Sequence, residues 1–252
     1  MKRIMLTVSY DGTGYCGWQL QPEMPTVEAI LNQSLSSLLK EDITVIGASR
    51  TDSGVHARGN VAVFDTETRI PAEKLMFAIN QSLPEDIRIQ SSREVSPSFH
   101  PRRVNSRKTY EYRIINRKVL IPTERLYSSF VYYELNLGAM QAAAAYLTGE
   151  HDFKSFCSVK TQAEETVRTI YRLEVTGQGD IITISVTGSG FLYNMVRIIA
   201  GTLIEVGRGA IKPERMKDIL AGCDRSLAGP TAPAQGLTLI GIEYDETDLR
   251  GV

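Results

Sequence analysis

The sequence predicts an α+β protein of two halves, residues 1–105 and 106–252, on three observations. Strand-like alternation and helix-like spacing of apolar residues follow one another twice along the chain. A strongly basic segment near residue 105 separates the two sets. The composition, 42% hydrophobic and 23% charged, is that of an ordinary folded chain, which excludes disordered and fibrous architectures. At about 150 residues per domain, 252 residues make one large domain or two small ones.

Taken in order, a first strand is expected from Arg3 to Tyr10. It runs into Asp11-Gly12-Thr13-Gly14, where glycine permits positive φ or close backbone approach. Val27, Ile30, Leu31, Leu35, Leu38 and Leu39 then recur on one face of a helix, with Thr26 as its N-cap. A polar stretch from Gly47 to Gly59 leads into a strand over Asn60–Phe64, and Pro71 suits the first position of a second helix. Ser82 to Ser98 reads as strand and loop. From Arg107 to Ile115 the chain alternates, placing Lys108, Tyr110, Tyr112 and Ile114 on one face of a strand. An alanine-rich helix over 138–147 follows, then a hairpin from Thr169 to Val186 that turns near Gly179. An apolar helix is expected from Phe191 to Val206, another opens at Pro213, and a last strand covers Leu237–Tyr244. No residue-level repeat relates the halves.

Charge and cysteine content narrow the function classes. With 28 Lys+Arg against 29 Asp+Glu the chain is no general polycation, so any nucleic-acid surface must be local. Cys16, Cys157 and Cys223 lie far apart with no C-x-x-C pair, which fits free thiols and a cytoplasmic setting. No apolar run is long and charge-free enough for a membrane span. His56, His100 and His151 have no ligand spacing, and Gly12-x-Gly14 lacks the rest of a nucleotide loop, so neither a metal nor a cofactor is expected.

Three constellations could carry chemistry. In Ser49-Arg50-Thr51-Asp52-Ser53-Gly54-Val55-His56-Ala57-Arg58, one carboxylate stands among two arginines, a histidine and hydroxyls. Ordinary Asp-Ser-Gly turn chemistry is the alternative. Arg197 is the only charged residue between Asp180 and Glu205, inside an apolar helix pattern. A guanidinium so placed needs a carboxylate, unless it reaches solvent or caps backbone carbonyls. Lastly, Arg93, Arg102, Arg103, Arg107, Lys108, Arg113, Arg117 and Lys118 face only Glu94 and Glu111, a local balance of +6. Interleaved with Phe99, Tyr110 and Tyr112, they could meet phosphates and unpaired bases, or form a solvated face above core tyrosines.

These residues resemble the bacterial tRNA pseudouridine synthase A family over essentially the whole chain. Tyr10-Asp11-Gly12-Thr13 with Gly17-Trp18-Gln19 is similar to its opening strand and loop, and Ser49 to Ala57 to its catalytic loop. Lys108 to Arg113 is similar to its tyrosine strand, and Phe191 to Arg197 to its C-terminal active-site helix. The resemblance implies the pseudouridine synthase fold: two halves around a central, mostly antiparallel sheet with a cleft between them. It implies isomerisation of uridines 38, 39 and 40 in the anticodon stem-loop, with Asp52 catalytic, Tyr110 against the base and Arg197 paired with the aspartate. Arg50, His56, Arg58, Arg102, Arg107 and Lys108 are the expected substrate contacts. Ser53 stands where relatives commonly have Ala, and Arg103 and Asn105 where an aromatic and a small residue are commoner. A homodimer and no cofactor are also implied. A non-catalytic RNA-binding protein or chaperone is the alternative from another class, and a hydrolase using Asp52 the other enzyme reading.

Overall fold

The computed structural model describes residues 1–159 and 164–250. In chain order its elements begin with β1 (Lys2–Tyr10), α1 (Val27–Leu39), β2 (Ile46–Gly47), β3 (His56–Thr66), α2 (Leu75–Ile79) and β4 (Ile87–Val95). There follow β5 (Ser106–Asn116), β6 (Ser129–Val131), α3 (Leu137–Ala145), β7 (Gly149–Asp152), β8 (Val167–Gln178) and β9 (Ile181–Gly188). The chain closes with α4 (Met195–Gly207), α5 (Arg215–Gly222), β10 (Leu237–Tyr244) and α6 (Glu246–Arg250).

It divides into two compact units, one of Met1–Ser106 with Leu239–Val252, the other of Arg107–Thr238. The expected second half ran on to residue 252; instead its last segment belongs with the first unit. Hydrophobic burial explains the return. Leu249, Ile242 and Tyr244 close over Met5, Val61, Val63 and Phe99, a cluster that the first half alone would leave open to water.

In the first unit the strand order is β4-β1-β3-β10, with β2 alongside β3. The pairs β1–β3, β1–β4 and β2–β3 are antiparallel. Helix α1 forms where the 3.6-residue spacing requires, burying Val27, Leu31 and Leu35, and the Thr26 hydroxyl accepts the Ala29 N–H. Pro71 precedes a 3-10 turn, Ala72–Lys74, that tightens into α2.

The second unit has the order β5-β9-β8-β7, antiparallel throughout, with β6 parallel to β5. Its alternation reads cleanly in β9, where every second residue is buried. Helix α3 packs on α4 and β8 through Met140, Ala143 and Ala144. Almost every residue of α4 is buried, as its apolar sequence demands. Pro213 stands two residues ahead of α5, which starts at Arg215.

One strand reading and one helix reading need correction. β3 starts at His56 and not at Asn60, because pairing with β1 continues to Tyr10 opposite Ala57. The register slips between Val8 and Tyr10, so one extra residue of β3 is taken up at Arg58-Gly59, a bulge that the glycine disguised as a loop. Helix α4 starts at Met195, not Phe191, since Asn194 holds φ +61° and cannot continue a helix backward.

Candidate active site

Asp52 lies in the loop between β2 and β3, on backbone that two glycines of the first motif hold from below. A Cβ on Gly12 would sit well inside contact distance of the Val55 carbonyl oxygen. Gly17, at φ +89°, would place a Cβ 2.6 Å from the Thr51 oxygen and 3.1 Å from the Asp52 carbonyl carbon. Only glycine lets these backbones approach so closely. Hydrogen bonds fasten the same contact: Trp18 N–H to Thr51 O (3.0 Å), Gly54 N–H to Tyr15 O (3.3 Å) and the Ser53 hydroxyl to Tyr15 O (3.2 Å). The Val55 N–H returns to Asp52 O at 3.1 Å, and Gly54 turns the chain at φ +76°.

Beneath the loop is a buried polar network. The Tyr10 hydroxyl meets Thr51 Oγ1 at 2.7 Å, and Asn60 Nδ2 donates to Ser49 O (3.0 Å) and to the Tyr10 hydroxyl (3.3 Å). Asn60 Oδ1 accepts the N–H of Ser49 and of Val61. Thr51, Ser49 and Asn60 are buried, while Asp52 between them is half-buried and Ser53 exposed. The loop thus presents one carboxylate on a rigid stem. Tyr10 and Asn60 were missed as contributors; a buried Asn in an apolar strand was the available signal.

His56 is placed differently from its arginine neighbours. The residue is only 4% exposed; Nδ1 accepts the Gly12 N–H at 3.1 Å and lies 3.2 Å from Asp11 Oδ1. An N–H aimed at Nδ1 requires a lone pair there. The ring therefore ties the glycine motif to the start of β3 and does not stand on the surface as a substrate contact would. Arg50 and Arg58 are both exposed, the latter thrown outward at the bulge.

In the second unit Tyr110 sits on β5 opposite Val186, 7% exposed, with Phe191 edge-on to its ring at 5.3 Å. Tyr112, two residues on, is fully buried and donates its hydroxyl to Pro233 O at 2.9 Å. Burial pushes that phenol up to about 12, against smaller opposite influences from Ser129 and the Arg197 charge. Gly236 makes room for the ring, a Cβ there falling 2.7 Å from Tyr112 Cζ.

Arg197, in the first turn of α4, is half-buried. Nε donates to Ala232 O and Nη1 to Asn194 Oδ1, each at 2.8 Å. Backbone carbonyl capping, one of the alternatives left open by the sequence, therefore occupies one edge of the guanidinium. The loop carrying Ala232 is itself clamped to α4: the Thr202 hydroxyl accepts the Gly229 N–H at 2.9 Å, and a side chain at Gly201 would collide with Pro230 O.

The basic strip is less uniform than its sequence. Arg93 pairs with Glu246 (3.2 Å), Arg113 with Glu124 (3.1 Å) and Arg117 with Asp180 (3.2 Å), which neutralises three of its cations from distant segments. Phe99 and Tyr112 are core residues and not stacking surfaces: Phe99, 1% exposed, packs edge-on against Tyr244 at 5.1 Å. Arg102 and Arg103 stand exposed around His100, whose pKa is lowered by burial and then by those two charges. Arg107 is exposed and lies 5.2 Å from the ring centre of Tyr171, which a bulge in β8 pushes outward; Lys108 beside it is half-buried. Tyr171 was not singled out, because bulges leave no periodic trace. Among the described residues no cluster of His, Cys, Asp or Glu has metal-binding geometry.

The chain is similar to known proteins over most of its length. The sequence profile of the tRNA pseudouridine synthases matches residues 6–102 and 143–245, segments that carry Asp52 and Arg197. By class the protein is a pseudouridine synthase. More narrowly, the chain belongs to the tRNA pseudouridine synthase family. A "tRNA pseudouridine synthase A" of Ruminiclostridium cellulolyticum is 50% identical over 245 residues, 97% of this chain and 100% of that one. The protein of the same description from Brevibacillus brevis is 48% identical over 244 residues, with the same coverage. Among solved structures, the archaeal box H/ACA sRNP Nop10-Cbf5 complex aligns with TM-score 0.36 and 10% identity, covering 96% of this chain and about half, 50%, of that one.

Proposed function

We propose that this protein converts uridine to pseudouridine at positions 38, 39 and 40 of the tRNA anticodon stem-loop, with Asp52 as the catalytic group. The observation that carries the reading is the glycine-clamped loop of a tRNA pseudouridine synthase chain, which holds one half-buried carboxylate on a hydrogen-bonded stem.

The reaction must break the N1–C1′ bond, turn the uracil while it stays bound, join C5 to C1′ and remove the C5 proton. It conserves oxidation state, so no redox cofactor is called for. A carboxylate can add to the nucleotide or take the C2′ proton, and either use needs it ionised and fixed. Arg197 supplies the positive charge that favours ionised Asp52, as family resemblance implies. Tyr110 packs against the base. Reaching a base within a folded stem-loop costs a few kcal/mol of unstacking, which phosphate contacts from Arg50, Arg58, Arg102, Arg107 and Lys108 offset. His56 holds the catalytic loop and does not touch RNA. A homodimer whose two subunits share one tRNA belongs to the same reading, and sedimentation with and without tRNA tests it. Three free thiols and a tRNA substrate support a cytoplasmic setting.

The decisive measurement is tritium release from tRNA labelled at uridine C5. An active enzyme releases it, and Asp52→Asn abolishes release while tRNA binding persists. A protein that binds tRNA yet releases no tritium is the non-catalytic RNA binder, and the reading fails.

A further inference from the structure

We propose that Asn194 is a positioning residue that aims the Arg197 guanidinium; the proposal rests on the reading above, in which Arg197 serves catalysis. Asn194 breaks two local rules at once. It is the N-cap of α4, yet it holds a left-handed backbone, φ +61° and ψ 7°, where N-caps are ordinarily extended. Its side chain is of the type that caps helices best, yet it makes no capping hydrogen bond.

What the side chain does instead is fully described. Oδ1 accepts from Arg197 Nη1 at 2.8 Å, and Nδ2 donates to Ser158 Oγ at 2.8 Å. An arginine has only donors, so the amide oxygen must face it, which leaves the amide nitrogen for the serine. The Ser158 N–H in turn bonds Tyr193 O at 3.1 Å, so both ends of the amide are anchored. With Ala232 O on Nε, Asn194 fixes a second edge of the guanidinium and hence its plane. With this left-handed backbone the side chain bonds Arg197 and not the backbone of the first turn. Strain kept at such a site, with the capping bond forgone, is a sign of function and not of folding.

Three variants test this with the tritium-release assay. Asn194→Gly retains the left-handed backbone without penalty and removes only the amide. It is expected to lower kcat about tenfold to hundredfold, the loss of one bond to a charged group, with KM for tRNA changed less than about threefold. In an Arg197→Lys background, which cannot use the amide in the same way, the same change should cost less than about threefold more. Ser158→Ala, which frees the far end of the amide and leaves the backbone alone, should lower kcat about two- to fivefold and serves if Asn194→Gly does not fold. Equal losses in both backgrounds would mean a merely structural role and overturn the proposal. So would unimpaired Asn194→Gly beside a crippled Arg197→Lys enzyme. Wild-type turnover by Arg197→Lys would instead overturn the catalytic assignment of Arg197, and this proposal with it.

Discussion

Replacing Gly17 by alanine tests whether the opening glycine motif exists to seat the Asp52 loop. At φ +89° an alanine carries a backbone penalty of about 1–2 kcal/mol. Its Cβ would also lie 2.6 Å from Thr51 O, where ordinary contact begins near 3.4 Å, so the loop must retreat by roughly 0.8 Å. Overpacking of that kind adds about 1–3 kcal/mol, because the obstacle is backbone and cannot rotate away. Together these predict a loss of about 2–5 kcal/mol in thermal or urea unfolding. Activity should fall further than stability does. A displacement approaching 1 Å at a reacting group costs up to about a hundredfold in rate, so tritium release at a temperature where the variant is fully folded should drop about tenfold or more. Gly14→Ala is the internal control, since nothing lies within 4 Å of its Cβ. It should leave stability within about 0.5 kcal/mol and turnover unchanged. Wild-type turnover in folded Gly17→Ala, or equal damage from the two substitutions, would refute the seating argument.

Two further expectations concern stability. The Arg3 guanidinium donates both Nε and Nη2 to Asp65, at 2.8 and 2.7 Å, and these bonds hold the Asp65 carboxyl below its ordinary range. A depressed folded pKa gives stability that is present above the unfolded value of about 3.9 and lost as pH falls through the folded one. With the carboxylate one-third exposed the gain is about 1 kcal/mol after screening. Asp65→Asn should therefore lose that amount in urea unfolding at pH 7 and progressively less as pH falls below the unfolded value and through the folded one; a deficit that stays constant with pH would exclude the ion pair as its cause. Tyr112→Phe removes the hydroxyl that reaches Pro233 O and should cost about 1–2 kcal/mol, read by the same method, with unfolding unchanged from wild type taken as refutation.

How much of this was legible in the sequence follows from which forces are periodic. Helix α1 with its Thr26 cap, strands β1 and β10, and the hairpin turning at Gly179 follow from local spacing, and the structure shows them within a residue or two. The four motifs were legible as well, because their residue types are unusual together. Short strands β2, β6 and β7 have no pattern of their own; they exist because a longer strand offers them an edge. The return of residues after 238 to the first unit is likewise a long-range event driven by burial. Whether Tyr112 meets bases or lies in the core stayed open in the sequence, because alternation identifies a face without saying what covers it; the structure buries it, and Phe99 too. The ion pairs of Arg93, Arg113 and Arg117 come from partners that no local window contains.

The candidate site is where local rules fail without a local remedy. Several positions at positive φ elsewhere follow from ordinary devices: Lys40 and Cys223 end α1 and α5 as left-handed C-caps, and Gly179 turns a hairpin. Glu23 lies in a turn closed by Met24 N–H to Gln21 O. Gly54 lies in a like turn, closed by Val55 N–H to Asp52 O, whereas Gly17 and Asn194 have no such account. The former packs against the Asp52 backbone, and the latter begins the helix that carries Arg197. Of the two only Asn194 is strained, and such strain persists where the surroundings over-determine it, as they do here through Ser158. If the strained position served folding alone, relaxing it would raise stability and leave turnover intact. The expectation is the opposite: Asn194→Gly relieves the backbone yet, at a temperature where it is fully folded, should be slower at the chemistry, a loss that a purely structural asparagine cannot produce.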